Sequence, residues 1–203
     1  MGEEPKVYVI DDDRDLRESL RWLLESAGLT AEGFESAEAF WAAYSAGLAG
    51  CVLLDVRLPG MDGLRLLERL EAERAHLPVI IFTGHGEVSM AVRALKSGAF
   101  DFLEKPANPQ RLLDCLQRAL AADRERRARA LERQAFERLL AQLTQREKEI
   151  LEHIVAGQSS KAIALALGIS ERTVEKHRES LMHKMQARSL AQLIRLVVGQ
   201  QAT

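Results

Sequence analysis

Cysteine is scarce in this 203-residue chain: there are only two, Cys51 and Cys115, far apart and each in an apolar context. That argues against a disulfide scaffold and reads as two reduced core thiols in a reducing compartment. No apolar stretch approaches the ~20 residues a membrane-spanning helix needs, so no membrane partner is expected. The opening MGEEPKVYVIDDD lacks the basic-then-apolar layout of a signal peptide. It also misses the myristoylation pattern, because Lys6 stands where Ser or Thr is wanted. The expected location is the cytoplasm. No G-x-x-x-x-G-K-[ST] loop occurs, which argues against an ATPase module. His153, His177 and His183 have no cysteine or carboxylate at ligand spacing, which argues against zinc. Sustained a/d heptads are missing too, so a coiled coil is not expected.

What is present is ordinary globular composition, 47% hydrophobic and 29% charged. The length fits one large domain or two small ones. A net charge of −2 hides an asymmetry. Residues 1–122 hold 13 Lys+Arg against 20 Asp+Glu, a net −7, and residues 123–203 hold 15 against 10, a net +5. An acidic half joined to a basic half points to two domains with different partners, the basic one a candidate for nucleic acid.

The first half alternates strand and helix signals. Apolar runs at Lys6–Ile10, Thr30–Phe34, Cys51–Leu54, Pro78–Phe82 and Phe100–Leu103 read as strands. Helical spacing follows each, the last helix spanning about Asn108–Leu120, and Ser36 caps the second. Five strands alternating with five helices predict a doubly wound parallel sheet of the flavodoxin type, order 2-1-3-4-5. Polar residues then stand at the strands' carboxyl ends: Asp11 and Asp12, Asp55, Thr83 and Lys105. The first and third strands are neighbours at the switch point, so their carboxylates converge there. Three acids in one spot repel unless a cation joins them, and all-oxygen ligation suits Mg2+ (or Mn2+). Asp13 reads as a helix-capping acid, and His85 as a loop residue in the flexible turn Gly84-His85-Gly86, without a defined role.

From Ala121 to Ala130 no large apolar residue appears and arginine is dense, which reads as a solvated connector. Four short helices follow. Thr144 and Glu147 form a capping box for Gln145–Val155. Ser159 or Ser160 caps Lys161–Leu167, and Gly168-Ile169-Ser170 is a tight turn into a longer helix reaching about Met185. Leu190, Leu193, Ile194 and Val197 lie on the last. Helix, glycine-containing turn, helix is a helix-turn-helix. Its second helix bears Arg172, Lys176, His177, Arg178 and Lys184.

On these residues the chain resembles a two-component response regulator of the NarL/FixJ family over nearly its whole length. Residues 1–122 resemble the receiver domain and 141–203 the LuxR-type output domain; between them 123–140, where Leu131, Ala135, Leu139 and Leu140 are consistent with continued helix, reads as a helical linker. The resemblance rests on the acidic pair, Asp, Thr and Lys-Pro, each after its own strand, on TGHGEVSMAVRALKSGAFDFLEKP, and on LTQRE and GISERTVEKHRESLMHKM. It implies that Asp55 is the phospho-acceptor. Asp11, Asp12 and Asp55, with the Arg57 backbone carbonyl, would ligate the metal. Thr83 and Lys105 would serve the phosphoryl group, and Phe102 would be an aromatic switch. It further implies DNA contacts from Lys161, Arg172, Thr173, Glu175, Lys176, His177, Arg178, Glu179 and Lys184, and a dimer face at Val92, Lys96, Phe100 and Asp101. Implied partners are a sensor histidine kinase, double-stranded DNA, RNA polymerase, and a second copy of the chain once phosphorylated. The function expected is a phosphorylation-controlled, non-enzymatic regulator of transcription. Its rivals are a phosphorelay intermediate and a phosphorylation-independent DNA-binding protein. Two departures from the family pattern stand out: Ala107, where Phe is frequent, and Ser160, where Asn is common.

Overall fold

Strand β1 (Lys6–Ile10) sends Val7 and Val9 to one face of a sheet and Tyr8 and Ile10 to the other. Both faces are covered, which is why its sequence is an almost unbroken apolar run. It pairs in parallel with β2 (Ala31–Phe34) and β3 (Gly50–Leu54), and β4 (Val79–Thr83) and β5 (Asp101–Glu104) extend the sheet. The order is β2-β1-β3-β4-β5, as expected, with the switch point between β1 and β3. The computed structural model describes residues 4–45, 47–73, 75–84 and 88–201. His85 and Gly86 of the expected turn lie outside them.

Helices α1 (Arg14–Ser26) and α5 (Pro109–Ala141) cover one face through Leu20, Leu24, Leu112 and Leu116. The other face is covered by α2 (Ala37–Ala43), α3 (Gly63–Ala72) and α4 (Val88–Lys96), through Phe40, Leu66, Leu67, Leu70 and Ala94. Asp13, Ser36 and Asp62 cap α1, α2 and α3, accepting from the N–H groups of Leu16, Ala39 and Arg65. Asp13 is therefore the capping acid its position suggests.

The chain divides into two units, Met1–Arg127 and Ala128–Thr203. Strand and helix ends differ from the expected ones by a residue or so, the usual fraying. Helix α5 continues past Leu120 without a break to Ala141, so the stretch expected to be a helical linker is one helix with the fifth. Asp123, within the stretch read as solvated, is buried in the first unit. Its carboxylate accepts from the Gly50 N–H at 3.0 Å and pairs with Arg126 at 2.6 Å. Gly50 has φ 129°, and a Cβ there would lie 1.8 Å from the Lys6 carbonyl oxygen, so only glycine lets β3 start beside β1.

In the second unit α6 (Gln145–Val155), α7 (Ser160–Leu167), α8 (Glu171–Lys184) and α9 (Leu190–Gln201) enclose Ile150, Ile163, Val174, Leu181, Met185 and Leu193. Phe136, Leu139 and Leu140, near the end of α5, pack on that core. The Thr144–Glu147 capping box is formed. Gly168, at φ 65°, ends α7 while the Ile169 N–H reaches the Ala164 carbonyl at 3.0 Å, a left-handed cap that turns the chain sharply. Ser170 then caps α8, completing the helix-turn-helix. Among the described residues no helix is long and apolar enough to cross a membrane.

Candidate functional site

The carboxyl edge of the sheet gathers the charges. The Asp55 N–H donates to the Ile10 carbonyl at 2.9 Å, continuing the β1–β3 ladder one step past the strand and fixing Asp55 beside Asp11. Asp11, Asp12 and Asp55 each bring a carboxylate oxygen within 4.8 Å of the others'. Lys105 Nζ donates to Asp11 Oδ2 at 2.5 Å and to Asp55 Oδ2 at 2.6 Å. The other oxygens are held by main chain: Asp11 Oδ1 accepts from the Asp13 N–H at 3.1 Å, and Asp55 Oδ1 from the Arg57 N–H at 3.2 Å. Glycine is required beside them, since a Cβ at Gly63 would lie 2.1 Å from the Asp55 carbonyl oxygen.

Burial raises the Asp11 carboxyl above its ordinary range even though Lys105 pulls it down. Burial also opposes the Lys105 charge, but the two carboxylates outweigh it and hold the ammonium above its usual value. Thr83 closes β4 between the strands that carry Asp55 and Lys105. Its Oγ1 is fully buried and has no hydrogen-bond partner among the described residues. A buried hydroxyl without a partner costs roughly 1–3 kcal/mol.

Of the remaining first-unit residues, Phe102 is half-buried against the core that contains Phe40 and Ile81. Ala107 is half-buried and packs on the opposite core. Val92, Lys96 and Phe100 are exposed. Asp101 is engaged within its own chain: Arg118 donates to it at 2.7 Å and the Cys115 thiol at 3.3 Å. Val88 and Leu95 add two exposed apolar residues to α4 that sequence spacing did not single out.

In the second unit Arg172, Thr173, Glu175, Lys176, Arg178 and Glu179 line one open groove of about 1060 Å³ along α8. Lys161 is exposed on α7, and His177 is half-buried. Lys184 is placed differently. Its Nζ donates at 2.7 Å to Glu147, a buried acid on α6 that also accepts from Ser180 at 2.6 Å and from the Thr144 N–H at 2.7 Å. Burial works against the Glu147 charge, but Lys184 and the hydroxyl and main-chain donors prevail and lower its carboxyl to about 2. Sequence reading assigned Glu147 only to the capping box. Its partners on α8 lie more than thirty residues away, beyond any local pattern.

A doubly wound α/β unit with this charged edge, followed by a helix-turn-helix unit, defines the response-regulator class of transcription factors. Response regulator receiver domain is the family description that matches residues 7–117, and Bacterial regulatory proteins, luxR family, the one that matches residues 141–197. The chain belongs to the response regulators that join a receiver domain to a LuxR-type DNA-binding domain. It is 44% identical over 193 residues to the transcriptional regulatory protein FixJ of Bradyrhizobium diazoefficiens, covering 95% of this chain and 94% of that one. The transcriptional regulatory protein TdiR of Thauera aromatica is also 44% identical, with 97% and 87% covered. Among solved structures, the response regulator StyR matches with a TM-score of 0.89 at 42% identity, covering 97% of this chain and all of that one. Full-length FixJ from B. japonicum gives a TM-score of 0.59 at 41% identity, with 98% of each covered.

Proposed function

We propose that Asp55 accepts a phosphoryl group from a sensor histidine kinase and that this modification governs DNA binding by α8. The observation that carries it is the pairing of a lysine-bridged carboxylate cluster with a buried hydroxyl that has no partner among the described residues. A carboxylate oxygen of Asp55 attacks phosphorus while the bond from phosphorus to the kinase's histidine nitrogen breaks. Lys105 neutralises the charge gathering on the phosphoryl oxygens, and Thr83 donates its O–H to one of them. Asp11, Asp12 and Asp55, with the Arg57 carbonyl, offer only hard oxygen donors and would hold Mg2+ or Mn2+. When bound, that ion supplies further positive charge to the phosphoryl oxygens.

In this reading residues 1–122 receive the signal, 123–140 link, and 141–203 bind DNA. Drawing Thr83 toward the phosphoryl group frees space into which Phe102 turns. Two copies then pair through Val92, Lys96, Phe100 and Asp101. The exposed apolar residues of α4 support such a face, with Asp101 joining it as an ion pair with Arg118. Paired output domains would occupy half-sites one DNA turn apart, contacting DNA from Lys161 and the α8 groove, with RNA polymerase as the downstream partner. The buried free thiols Cys51 and Cys115 support a cytoplasmic setting.

Acetyl phosphate with Mg2+ tests the acceptor. Wild type should gain an acid-labile, hydroxylamine-sensitive phosphate and Asp55→Asn none. Such a linkage on the mutant would place the acceptor elsewhere.

A further inference from the structure

Ser160 opens α7 but does not cap it, because Ser159 accepts from the Ala162 N–H at 3.3 Å and fills that role. The Ser160 hydroxyl is thereby free to cross to α8. There it donates to Glu175 Oε1 and accepts from an Arg178 guanidinium N–H at 2.9 Å. A hydroxyl is suited to this place because it donates one hydrogen bond and accepts others. We infer that Ser160 is a specificity-determining residue that sets Glu175 as a base reader, through the bridge from α7 to Glu175 and Arg178. The inference rests on the reading of α8 as the DNA-contacting helix.

Glu175 and Arg178 both line the open groove along α8. A carboxylate in that groove faces the phosphates of a duplex, which repel it, so an unconstrained Glu175 would swing away and read nothing. Glu175 and Arg178 are three apart on one helix, a spacing at which opposite charges meet and satisfy each other. Ser160 stands between them instead. It anchors one carboxylate oxygen against α7 and leaves the other able to accept a hydrogen bond, the chemistry that recognises a cytosine N4 amino group. The same hydroxyl engages one guanidinium nitrogen of Arg178, whose remaining N–H groups stay available for a phosphate. Ser160 touches no base in this scheme; it acts by positioning two side chains that do touch the duplex. Asparagine, with an amide that donates and a carbonyl that accepts, can make the same bridge.

Selection of randomised duplexes by the full chain, with Mg2+ and beryllofluoride at fixed salt, tests this through the base-preference profile. Ser160→Ala and Glu175→Ala should each lower the preference at the same base pair by about tenfold, the scale of one base contact. The double variant should lower it no further, because the second change removes an interaction already lost. Ser160→Asn should keep the wild-type profile. Melting curves of each variant check the fold. If Ser160→Ala keeps the wild-type profile, weakens all sequences evenly, or shifts a different base pair from Glu175→Ala, the positioning role is refuted while the DNA reading stands. If wild type selects no sequence at all, the DNA reading falls and the role of Ser160 falls with it.

Discussion

Glu147→Gln removes one charge and almost no volume from the centre of the helix-turn-helix unit. The side chain is 4% exposed and that of Lys184 29% exposed. Glutamine keeps the acceptor oxygen shared by the Lys184 ammonium and the Thr144 N–H and hydroxyl, and its amide can donate to the Ser180 hydroxyl, which accepts as well as donates, so what is lost is chiefly the charge facing Lys184. The lowering of the carboxyl from 4.5 to about 2 corresponds to about 3 kcal/mol at the conversion for one pKa unit. Solvent around Lys184 screens the pair, which brings the contribution to about 2 kcal/mol. For a domain of this size that lowers the melting temperature by about 8–16 °C. Calorimetry of the full chain reads the shift, and hydrogen exchange of α6 and α8 amides assigns it to this unit. A shift below about 3 °C would refute the reasoning, since the network would then contribute little.

The sign with pH follows. The folded value lies below the unfolded one, so the folded state binds fewer protons between them. The contribution is complete above about 4.5 and lost as pH falls through about 2, and Glu147→Gln should remove that part of the acid sensitivity. Lys184→Ala separates the two roles open to this lysine. As the partner of Glu147 it should cost stability and leave the salt dependence of DNA binding alone. A drop of about one in the salt slope with unchanged melting would make it a phosphate contact instead.

Thr83→Val keeps the shape and deletes a hydroxyl that has no partner among the described residues, so it should stabilise the unmodified chain by about 1 kcal/mol and slow phosphate uptake from acetyl phosphate. A lower melting temperature would show that the hydroxyl already has a partner. Asp123→Ala strips the acceptor from the Gly50 N–H and unpairs Arg126, at a cost of about 2–3 kcal/mol. The Gly50 amide should exchange faster, and unchanged protection there would count against the anchor.

The sheet was legible because parallel strands are buried on both faces, so Val7–Ile10, Cys51–Leu54 and Val79–Phe82 announce themselves as apolar runs. Strand order then put Asp11 and Asp55 side by side without any knowledge of side chains. Caps were legible for a related reason: Ser36, Thr144 and Ser170 each reach an N–H three residues ahead. The length of α5 was legible only in part: apolar residues returning at Leu131, Ala135, Leu139 and Leu140 point to continued helix in a linker, but not to one unbroken helix with the fifth. Its central, arginine-rich turns have no apolar stripe, and a search for periodicity finds nothing there. What keeps the stretch after Pro109 helical is the good propensity of Ala, Leu, Arg, Gln and Glu, the absence of glycine and further proline, and local pairs such as Arg133–Glu137 at 3.2 Å.

Charged groups outside the sheet edge were harder, and Lys176 and Lys184 show why. Both sit on α8, and both read from sequence as groove-facing cations. Lys176 is exposed in the groove, while Lys184 turns to Glu147, 37 residues away in the chain. Asp101 belongs with Lys184: the family resemblance assigns it to a dimer face, and the fold ties it to Arg118. Asp123 is the extreme case, a carboxylate in a run of arginines that is buried because the Gly50 N–H needs an acceptor. In each instance the deciding quantity is the desolvation of a distant partner. A buried Glu147 or an unpaired Gly50 N–H would cost a few kcal/mol if left alone, which exceeds what a surface ion pair returns. The charge therefore goes where the unmet need is largest. That need is created by helix packing and strand register, so a charge is assignable only after the cores around it have been placed.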